Sequence, residues 1–135
     1  MDIHKANSRS TTFAGAEYFT GTVMMDPIVT APEPARVRAL RVSFSPGART
    51  NWHTHPLGQT LYVISGVGRI QKQGEAIQEI LPGDTIWIAP GEKHWHGAAP
   101  DHAMSHIAIQ EELEGKHADW LEQVTDEEYR TEIGL

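Results

Sequence analysis

Short runs rich in β-branched and aromatic residues, bounded by glycine- and proline-containing turns, fill the chain between residues 37 and 110. The turns SPGART and LPGD separate the runs VRALRVSF, LYVISGVGRIQKQG and TIWIAPGEKHWHG, and the run AMSHIAIQ closes the series. Several short strands at such spacing indicate a β-sandwich or β-barrel, because parallel βαβ units need helical segments between their strands. The sequence therefore predicts an all-β fold built on residues 37–110.

The N-terminal segment is predicted to belong to the same domain, because a chain of 135 residues suits a single domain. Residues 1–36 have the composition of a polar arm with one short strand, at Phe19–Met25. The segment APEPAR at Ala31–Arg36 is expected to be an extended connection, since proline disfavours helix in the residue before it.

The sequence changes character after residue 110, and residues 111–135 are predicted to form a tail with a short helix. A weak helical pattern covers Lys116–Val124. Thr125 is followed three residues later by Glu128, which is the spacing of a helix capping box. We therefore expect a short C-terminal helix to begin after Thr125.

Composition excludes several classes of function. The chain has no cysteine, so it can form neither a disulfide framework nor a thiolate-ligated metal site. Its net charge of −7 leaves no basic stripe for nucleic acid. The sequence has neither the apolar core of a signal peptide nor a run of about 18 apolar residues that could cross a membrane. We expect a cytoplasmic protein that binds a small-molecule substrate.

Histidine is concentrated where the strands are predicted, since six of the eight histidines lie between His53 and His106. Side chains two residues apart on a strand share a face. The pairs His53/His55 and His94/His96 can therefore each reach one metal ion. A single pair of this kind is more often an ordinary surface feature, but two pairs beside turns favour a metal site.

The same parity argument places further side chains on shared faces. His106 and Gln110 lie on one face of the last predicted strand, with Met104 and Ala108, while Ile107 and Ile109 lie on the other. Leu40, Val42 and Phe44 share a face of the first strand of the stretch. An apolar face and a face carrying imidazole suit a small barrel with a polar pocket.

The first histidine pair lies within a sequence that resembles the first conserved motif of the cupins, G-x5-H-x-H-x3,4-E-x6-G. The matching residues are Gly47, His53, His55, Gln59 and Gly66, with Gln59 in place of the usual glutamate. The second cupin motif, G-x5-P-x-G-x2-H-x3-N, is matched by Gly83, Gly91 and His94. In that second motif the proline is displaced by one position, to Pro90, and Ala98 replaces the final asparagine.

The cupin resemblance implies a jelly-roll-like β-barrel of six or more strands, which holds one divalent metal ion. It implies His53, His55, Gln59 and His94 as the metal ligands. It also implies an oligomer, and a homodimer or homotetramer is expected here. An exposed edge strand near the N-terminus would need covering, which is consistent with that expectation.

A narrower resemblance covers nearly the whole chain. The segments FTGTV, APEPA, PGART, WHTHPLGQTL, PGEKHWHGAAP, HIAIQE and VTDEEYR resemble the bacterial cupin-type hydroxynitrile lyases. That group implies manganese-dependent cleavage of cyanohydrins such as mandelonitrile to an aldehyde and HCN, with the reverse addition. It implies the same four ligands, and His96, His106 and Gln110 as further pocket residues. Leu40 stands where a smaller residue occurs in a member of that group, which bears on the size of the substrate.

The implied ligand set is electrically neutral. Three imidazoles and one amide leave a divalent ion its full charge, which makes it a stronger Lewis acid than a set with glutamate would. This favours acid–base chemistry over the oxygen activation typical of two-histidine, one-carboxylate sites. The resemblance favours manganese over iron, zinc or nickel, all of which suit imidazole. A dioxygenase, another oxidoreductase and a non-catalytic binding protein are the alternatives.

A mechanism for the lyase follows from these residues. We expect His106 to remove the hydroxyl proton, His96 to position cyanide or shuttle the proton, and Gln110 to orient the substrate. The roles of His96 and His106 can be exchanged in this scheme. Of the remaining residues, His102 is expected in a loop, His4 and His117 are expected at the surface, and Trp52, Trp87 and Trp95 are expected to pack.

Overall fold

The structure is a computed structural model that describes residues 1–133. Within them the strands are β1 (Thr12–Phe13), β2 (Phe19–Thr20), β3 (Val23–Thr30), β4 (Val37–Phe44), β5 (Arg49–Thr50), β6 (His53–Thr54), β7 (Gln59–Gly66), β8 (Gly68–Lys72), β9 (Gln78–Ile80), β10 (Thr85–Ile88), β11 (His94–Ala98), β12 (Met104–Glu111) and β13 (Asp119–Trp120), and the helix is α1 (Asp126–Tyr129). The last two residues of the predicted tail, 134 and 135, lie outside the described residues.

Two antiparallel sheets form the barrel. The first sheet has the strand order β1-β3-β4-β12-β7-β10. The second follows the order β13-β6-β11-β5-β2, with β8 paired to β11 and β9 paired to β8. The prediction of an all-β barrel with a short C-terminal helix is thus confirmed. The division of the chain at residues 36 and 110 stays a prediction.

The main core lies between the inner faces of the two sheets. Phe44, Leu61, Val63 and Met104 contribute from the first sheet, and the second sheet adds Ala98. All five are at most 1% exposed. Burying such side chains is the main driving force for closing the two sheets on each other.

A second, smaller cluster lies outside the second sheet, beneath the C-terminal tail. It consists of Trp52, Ile77, Trp95, Val124 and Tyr129. The tail is attached by α1, whose N-terminus has the predicted capping box: Thr125 and Glu128 exchange side chain-to-backbone hydrogen bonds. The predicted packing of Trp52 and Trp95 is confirmed, and the tail covers one face of β11.

Three other predictions about local structure were wrong. The strand predicted at Phe19–Met25 is divided into β2 and β3, which lie in different sheets. The division falls at Gly21, which has a φ of +81°, a conformation that glycine adopts readily and other residues rarely do. A Cβ at this position would also lie 2.9 Å from the side chain of Ala48. The segment Ala31–Arg36 is the turn between β3 and β4, closed by a hydrogen bond from the Ala31 N–H to the Val37 carbonyl.

The third of these concerns Lys116–Val124, which forms no helix. Part of it is β13, which pairs with β6 through Asp119 and Trp120. A weak local helical preference of a few tenths of a kcal/mol per residue is overridden by such tertiary pairing. No helix among the described residues has the length and apolarity needed to span a membrane.

The long run between residues 61 and 74 holds two strands, because the chain passes from one sheet to the other after β7. The crossing requires close approach of two backbones at Gly66, where a Cβ would lie 1.8 Å from the Ala103 carbonyl oxygen. Gly66 also has a φ of +81°. Glycine is the residue that fits both conditions, which gives the last glycine of the first motif a structural reason.

Candidate active site

The second sheet brings four histidines together. His53 on β6 lies directly opposite His94 on β11, and their ring centroids are 4.2 Å apart. His55 follows β6, with its ring 4.9 Å from that of His53, and His96 lies two residues along β11. Each of the four is at most 4% exposed. The predicted parity is confirmed, since Trp95 lies on the opposite face of β11, within the second cluster.

The first sheet supplies the remaining predicted residues. Gln110 on β12 lies directly opposite Gln59 on β7, and the Gln59 Nε2 donates to the Gln110 Oε1 at 3.0 Å. His106 on β12 faces the other sheet, and its Nε2 lies 3.0 Å from the His96 Nδ1. All seven residues predicted from the sequence are therefore gathered between the two sheets.

Backbone carbonyls fix the protonation of three of these imidazoles. The Nδ1 atoms of His53, His55 and His94 donate to the carbonyls of Asn51, His117 and Glu92, at 2.9, 2.7 and 2.9 Å. A carbonyl can only accept, so each neutral ring keeps its lone pair on Nε2. The Nε2 atoms of His55 and His94 and the Oε1 of Gln59 are buried without a hydrogen-bond partner among the described residues.

These unpartnered acceptors fit a metal ion. Buried lone pairs cost free energy unless something binds them, and metal-bound histidines usually donate their other N–H to a carbonyl or carboxylate. Nitrogen atoms of His53, His94 and His96 lie within 4.8 Å of one another, so three buried histidines could hold an ion.

The distances between nitrogens and the hydrogen bonds of the rings select different third histidines for the metal site. The cluster contains His96 where the sequence predicts His55. The His96 Nδ1 contacts another imidazole, whereas the Nδ1 of His55 donates to a carbonyl as those of His53 and His94 do. The side chain of Gln59 also lies against His55. The hydrogen-bond pattern favours His55 because it fixes which ring atom carries the free lone pair.

Burial also holds the histidines neutral. It lowers the pKa of His94 and of His106 to about 4, and it lowers the pKa of His53 and of His96 well below the ordinary value. Neighbouring imidazoles add to the effect at His53 and His96, since a second positive charge nearby is unfavourable. At neutral pH these rings can bind a metal ion or accept a proton.

A cavity of about 430 Å³, counted with its open mouth, extends from this cluster. Its apolar wall includes the predicted face of β4, with Leu40, Val42 and Phe44. The other lining residues are Phe19, Met25, Thr50, His53, His55, Gln59, His96, His106, Ala108, Gln110, His117 and Trp120. A mostly apolar pocket with a few convergent polar groups is typical of small-molecule sites.

Two residues of the tail line the cavity, although the sequence did not predict them as site residues. Trp120 stacks on His53 with ring centroids 4.6 Å apart, and it pairs in register with His53 through β13. His117, expected at the surface, is half-buried and lines the cavity. Neither residue belongs to a recognisable pattern, and only the pairing of β13 with β6 brings them to the site.

Of the predictions for residues outside the site, two are confirmed and one is wrong. His102 lies in an exposed loop and His4 is exposed, as expected. Trp87 does not pack in the core: it is 63% exposed on β10, on the outer face of the first sheet.

Comparison with known proteins agrees with this architecture. The cupin domain family matches residues 40–109, which include the histidines of both motifs and His106. The chain belongs to the cupin family. A cupin-like protein from Thermotoga maritima has 40% identity and a TM-score of 0.84, with 96% of each chain covered. The polyketide cyclase RemF from Streptomyces resistomycificus shares the cupin's fold, with a TM-score of 0.74 at 16% identity over 96% of this chain and 90% of that one.

One curated relative is similar over nearly the full length of this cupin. It is the (R)-mandelonitrile lyase of Granulicella tundricola, which is 58% identical over 130 residues, covering 96% of this chain and 99% of the relative. The resemblance to cupin-type hydroxynitrile lyases, carried by segments scattered from FTGTV to VTDEEYR, is therefore confirmed.

Proposed function

We propose that this cupin is a hydroxynitrile lyase that cleaves cyanohydrins of the mandelonitrile type to an aldehyde and HCN, and that it catalyses the reverse addition. The observation that carries the proposal is the 58% identity to an (R)-mandelonitrile lyase over nearly the whole of both chains. The paired neutral imidazoles beside unpartnered lone pairs supply the acid–base groups that such a reaction needs.

We propose that His53, His55, Gln59 and His94 hold a divalent metal ion, and manganese in preference to iron, zinc or nickel. The support is the carbonyl-bonded Nδ1 of each ring, which leaves the lone pair on Nε2, and the unpartnered buried Nε2 atoms of His55 and His94 and Oε1 of Gln59. When bound by four neutral ligands, such an ion supplies Lewis acidity that lowers the pKa of a nearby hydroxyl group.

His96 and His106 act as a pair in this proposal. One proton lies between the His96 Nδ1 and the His106 Nε2, which are 3.0 Å apart. Whichever ring donates it, one of the two outer nitrogens, His106 Nδ1 or His96 Nε2, carries a lone pair and the other carries a proton. Both outer nitrogens are buried without partners among the described residues. The pair therefore always offers one base and one acid.

The proton can pass through this pair during cleavage. His106 takes the hydroxyl proton of the cyanohydrin at Nδ1 and releases its Nε2 proton to the Nδ1 of His96. The oxygen's electron pair becomes the aldehyde C=O bond as the C–CN bond breaks, and cyanide leaves with that bond's electrons. His96 then gives its Nε2 proton to cyanide, which forms HCN and balances the reaction.

Gln110 orients the substrate in this scheme. Its Oε1 accepts from the Gln59 Nε2, which turns the Gln59 Oε1 towards the histidines and leaves the Gln110 Nε2 free to donate. An N–H donor beside the reacting carbon can hold the substrate oxygen as charge develops on it.

The test is a mandelonitrile cleavage assay combined with elemental analysis. Purified protein is expected to contain about one divalent ion per chain, to release benzaldehyde, and to lose that activity with a chelator and regain it with Mn²⁺. Metal-loaded protein that leaves mandelonitrile intact would overturn the proposal. Oxygen consumption by the iron-loaded form would then indicate an oxygenase, and inactivity in both assays a binding protein.

We also propose that a second copy of this chain covers the outer face of the first sheet. Trp87, Ile109 and Tyr62 are 63%, 39% and 45% exposed and share that face, and contiguous exposed apolar surface usually marks an interface. Asp26 and Arg41 pair in register on the same face, so two copies related by a two-fold axis can exchange opposite charges. Sedimentation of wild type should give a dimer or tetramer, and Trp87→Ser should shift it towards the monomer.

A further inference from the structure

The open end of the cavity carries a histidine that the proposed chemistry does not use. His117, in the tail between β12 and β13, lines the cavity, and its backbone carbonyl accepts the His55 Nδ1–H at 2.7 Å. Its imidazole is half-buried, unlike the rings of His53, His96 and His106, which are at most 4% exposed. His117 therefore lies towards the mouth, and the acid–base pair lies at the closed end.

Arg38 on β4 fixes the protonation of the His117 ring. The Arg38 Nη1 lies 3.0 Å from the Oε1 of Glu112 and 3.0 Å from the His117 Nδ1. A guanidinium can only donate, and Nη1 has two N–H groups, one for each partner. The His117 Nδ1 must then accept, so the proton of the neutral ring is on Nε2.

The His117 Nε2–H is free to bind a ligand. It lies across the ring from Arg38, whose contact is with Nδ1, so the contact with Arg38 leaves Nε2 available to a ligand in the cavity that His117 lines. In contrast, the free atoms of His55, His94 and Gln59 deeper in the site are acceptors. Those acceptors are the proposed metal ligands, so the His117 Nε2–H is a polar group of the cavity that the proposed chemistry leaves unassigned.

Since the reacting carbon must lie beside the His96–His106 pair, the rest of the substrate extends towards the mouth along the apolar wall. We propose that Arg38 holds His117 as an Nε2–H donor, and that this donor selects cyanohydrins whose distal end carries a hydrogen-bond acceptor. His117 is thus a specificity-determining residue and Arg38 a positioning residue. The inference rests on the proposed function for the identity of the reacting group.

A pair of matched substrates isolates this contact. Methoxy- and ethyl-substituted mandelonitriles have side groups of nearly the same size, but only the methoxy group has an acceptor. With the substituent at the 3 or the 4 position, wild type is expected to prefer methoxy by about 3- to 10-fold in kcat/KM, the range of one neutral hydrogen bond. The His117→Phe variant should remove the preference, and the ratio between the two proteins cancels electronic differences between the substrates.

The variants separate a contact with substrate from a structural role. Every side-chain substitution at 117 keeps the backbone carbonyl that His55 uses, so metal content should be unchanged. His117→Gln, whose amide can donate, should retain part of the preference, and Arg38→Met should weaken it by releasing the ring. His4→Ala, at an exposed histidine, is the matched control and should behave as wild type.

Product binding tests the same contact without turnover. Calorimetry with methoxy- and ethylbenzaldehyde should give a tighter Kd for the methoxy compound in wild type and equal values in His117→Phe. Equal Kd values in wild type at both ring positions would overturn the inference, and so would a preference that persists in His117→Phe. A protein that leaves mandelonitrile intact but keeps this binding preference would contradict the proposed function and still support the hydrogen bond from His117 to the ligand.

Discussion

The two faces of β11 are both buried, yet they are built in opposite ways. His94 and His96 lie on the face that carries the site histidines, at 2% and 4% exposure, and the Nε2 of each has no hydrogen-bond partner among the described residues. Trp95, between them in sequence, is 0% exposed on the other face, where its Nε1 donates to the Gln71 Oε1 at 2.8 Å. The Nε2 atoms on the inner face are left without partners, whereas the ring nitrogen of Trp95 on the outer face has one.

The two faces of β11 therefore have different roles, one in the site and one in stability. Buried acceptors without partners destabilise a fold by about 1–3 kcal/mol each, so a site of this kind needs support from elsewhere. The tail provides it on the outer face. Tyr129 packs on Trp95 and lies under the guanidinium groups of Arg49 and Arg69, at 4.5 and 5.4 Å from its ring centre. The outer face holds β11 in place, and the inner face is left available for chemistry.

The largest effect is expected on the inner side of the barrel. His106→Ala should lower mandelonitrile turnover by about 10²–10⁴-fold, because it removes the base and breaks the imidazole pair. Metal content and thermal stability should stay near wild type. Stopped-flow assays and elemental analysis measure the two properties separately, and full turnover by the variant would show that His106 has no such role.

A substitution on the outer face of β11 should reduce stability and leave activity intact. Trp95→Ala should lower the free energy of unfolding by about 3–5 kcal/mol, because it leaves a large void under the tail. Denaturant titration measures this, and activity per folded molecule should persist below the transition. Trp95→Phe, which keeps most of the volume, should lose much less. If Trp95→Ala abolished activity at full stability, the division between the two faces would be wrong.

A smaller change concerns the charge of the ligand set alone. Gln59→Glu should keep the metal but reduce turnover by about tenfold, corresponding to one pKa unit of the bound hydroxyl group, because a carboxylate lowers the net charge of the site. The matched variant Gln71→Glu, on the outer side of the second sheet, should leave turnover unchanged. Unaltered turnover in Gln59→Glu, with metal bound, would contradict the argument from charge.

The dependence of stability on pH tests the burial of the inner face directly. Burial lowers the pKa of His94 and of His106 to about 4, below the unfolded value near 6.5. Between these values the unfolded chain binds more protons, so stability is complete above pH 6.5 and falls as the pH drops towards 4. Calorimetry of metal-free protein should show Tm falling over this range. His106→Phe should reduce the slope, whereas a slope equal to wild type would count against the buried neutral ring.

Much of the barrel and of the candidate site could be predicted because both depend on local spacing. Alternation along a strand put Ile107 and Ile109 outside and His106 inside, and the capping box at Thr125 set the start of α1. Weak local patterns failed where pairing decided the outcome, as at Lys116–Val124, whose residues Asp119 and Trp120 became a strand beside β6.

The sequence by itself determined which side chains share a face, since a two-residue repeat follows from the geometry of any strand. It thereby placed His53 with His55 and His94 with His96. Only the tertiary structure decided what each ring does, because that depends on atoms distant in sequence. The His117 carbonyl fixes the His55 Nδ1, and strand β12 brings His106 to His96 across the barrel. Hydrogen bonds between separate strands set the lone pairs, and no local pattern encodes them.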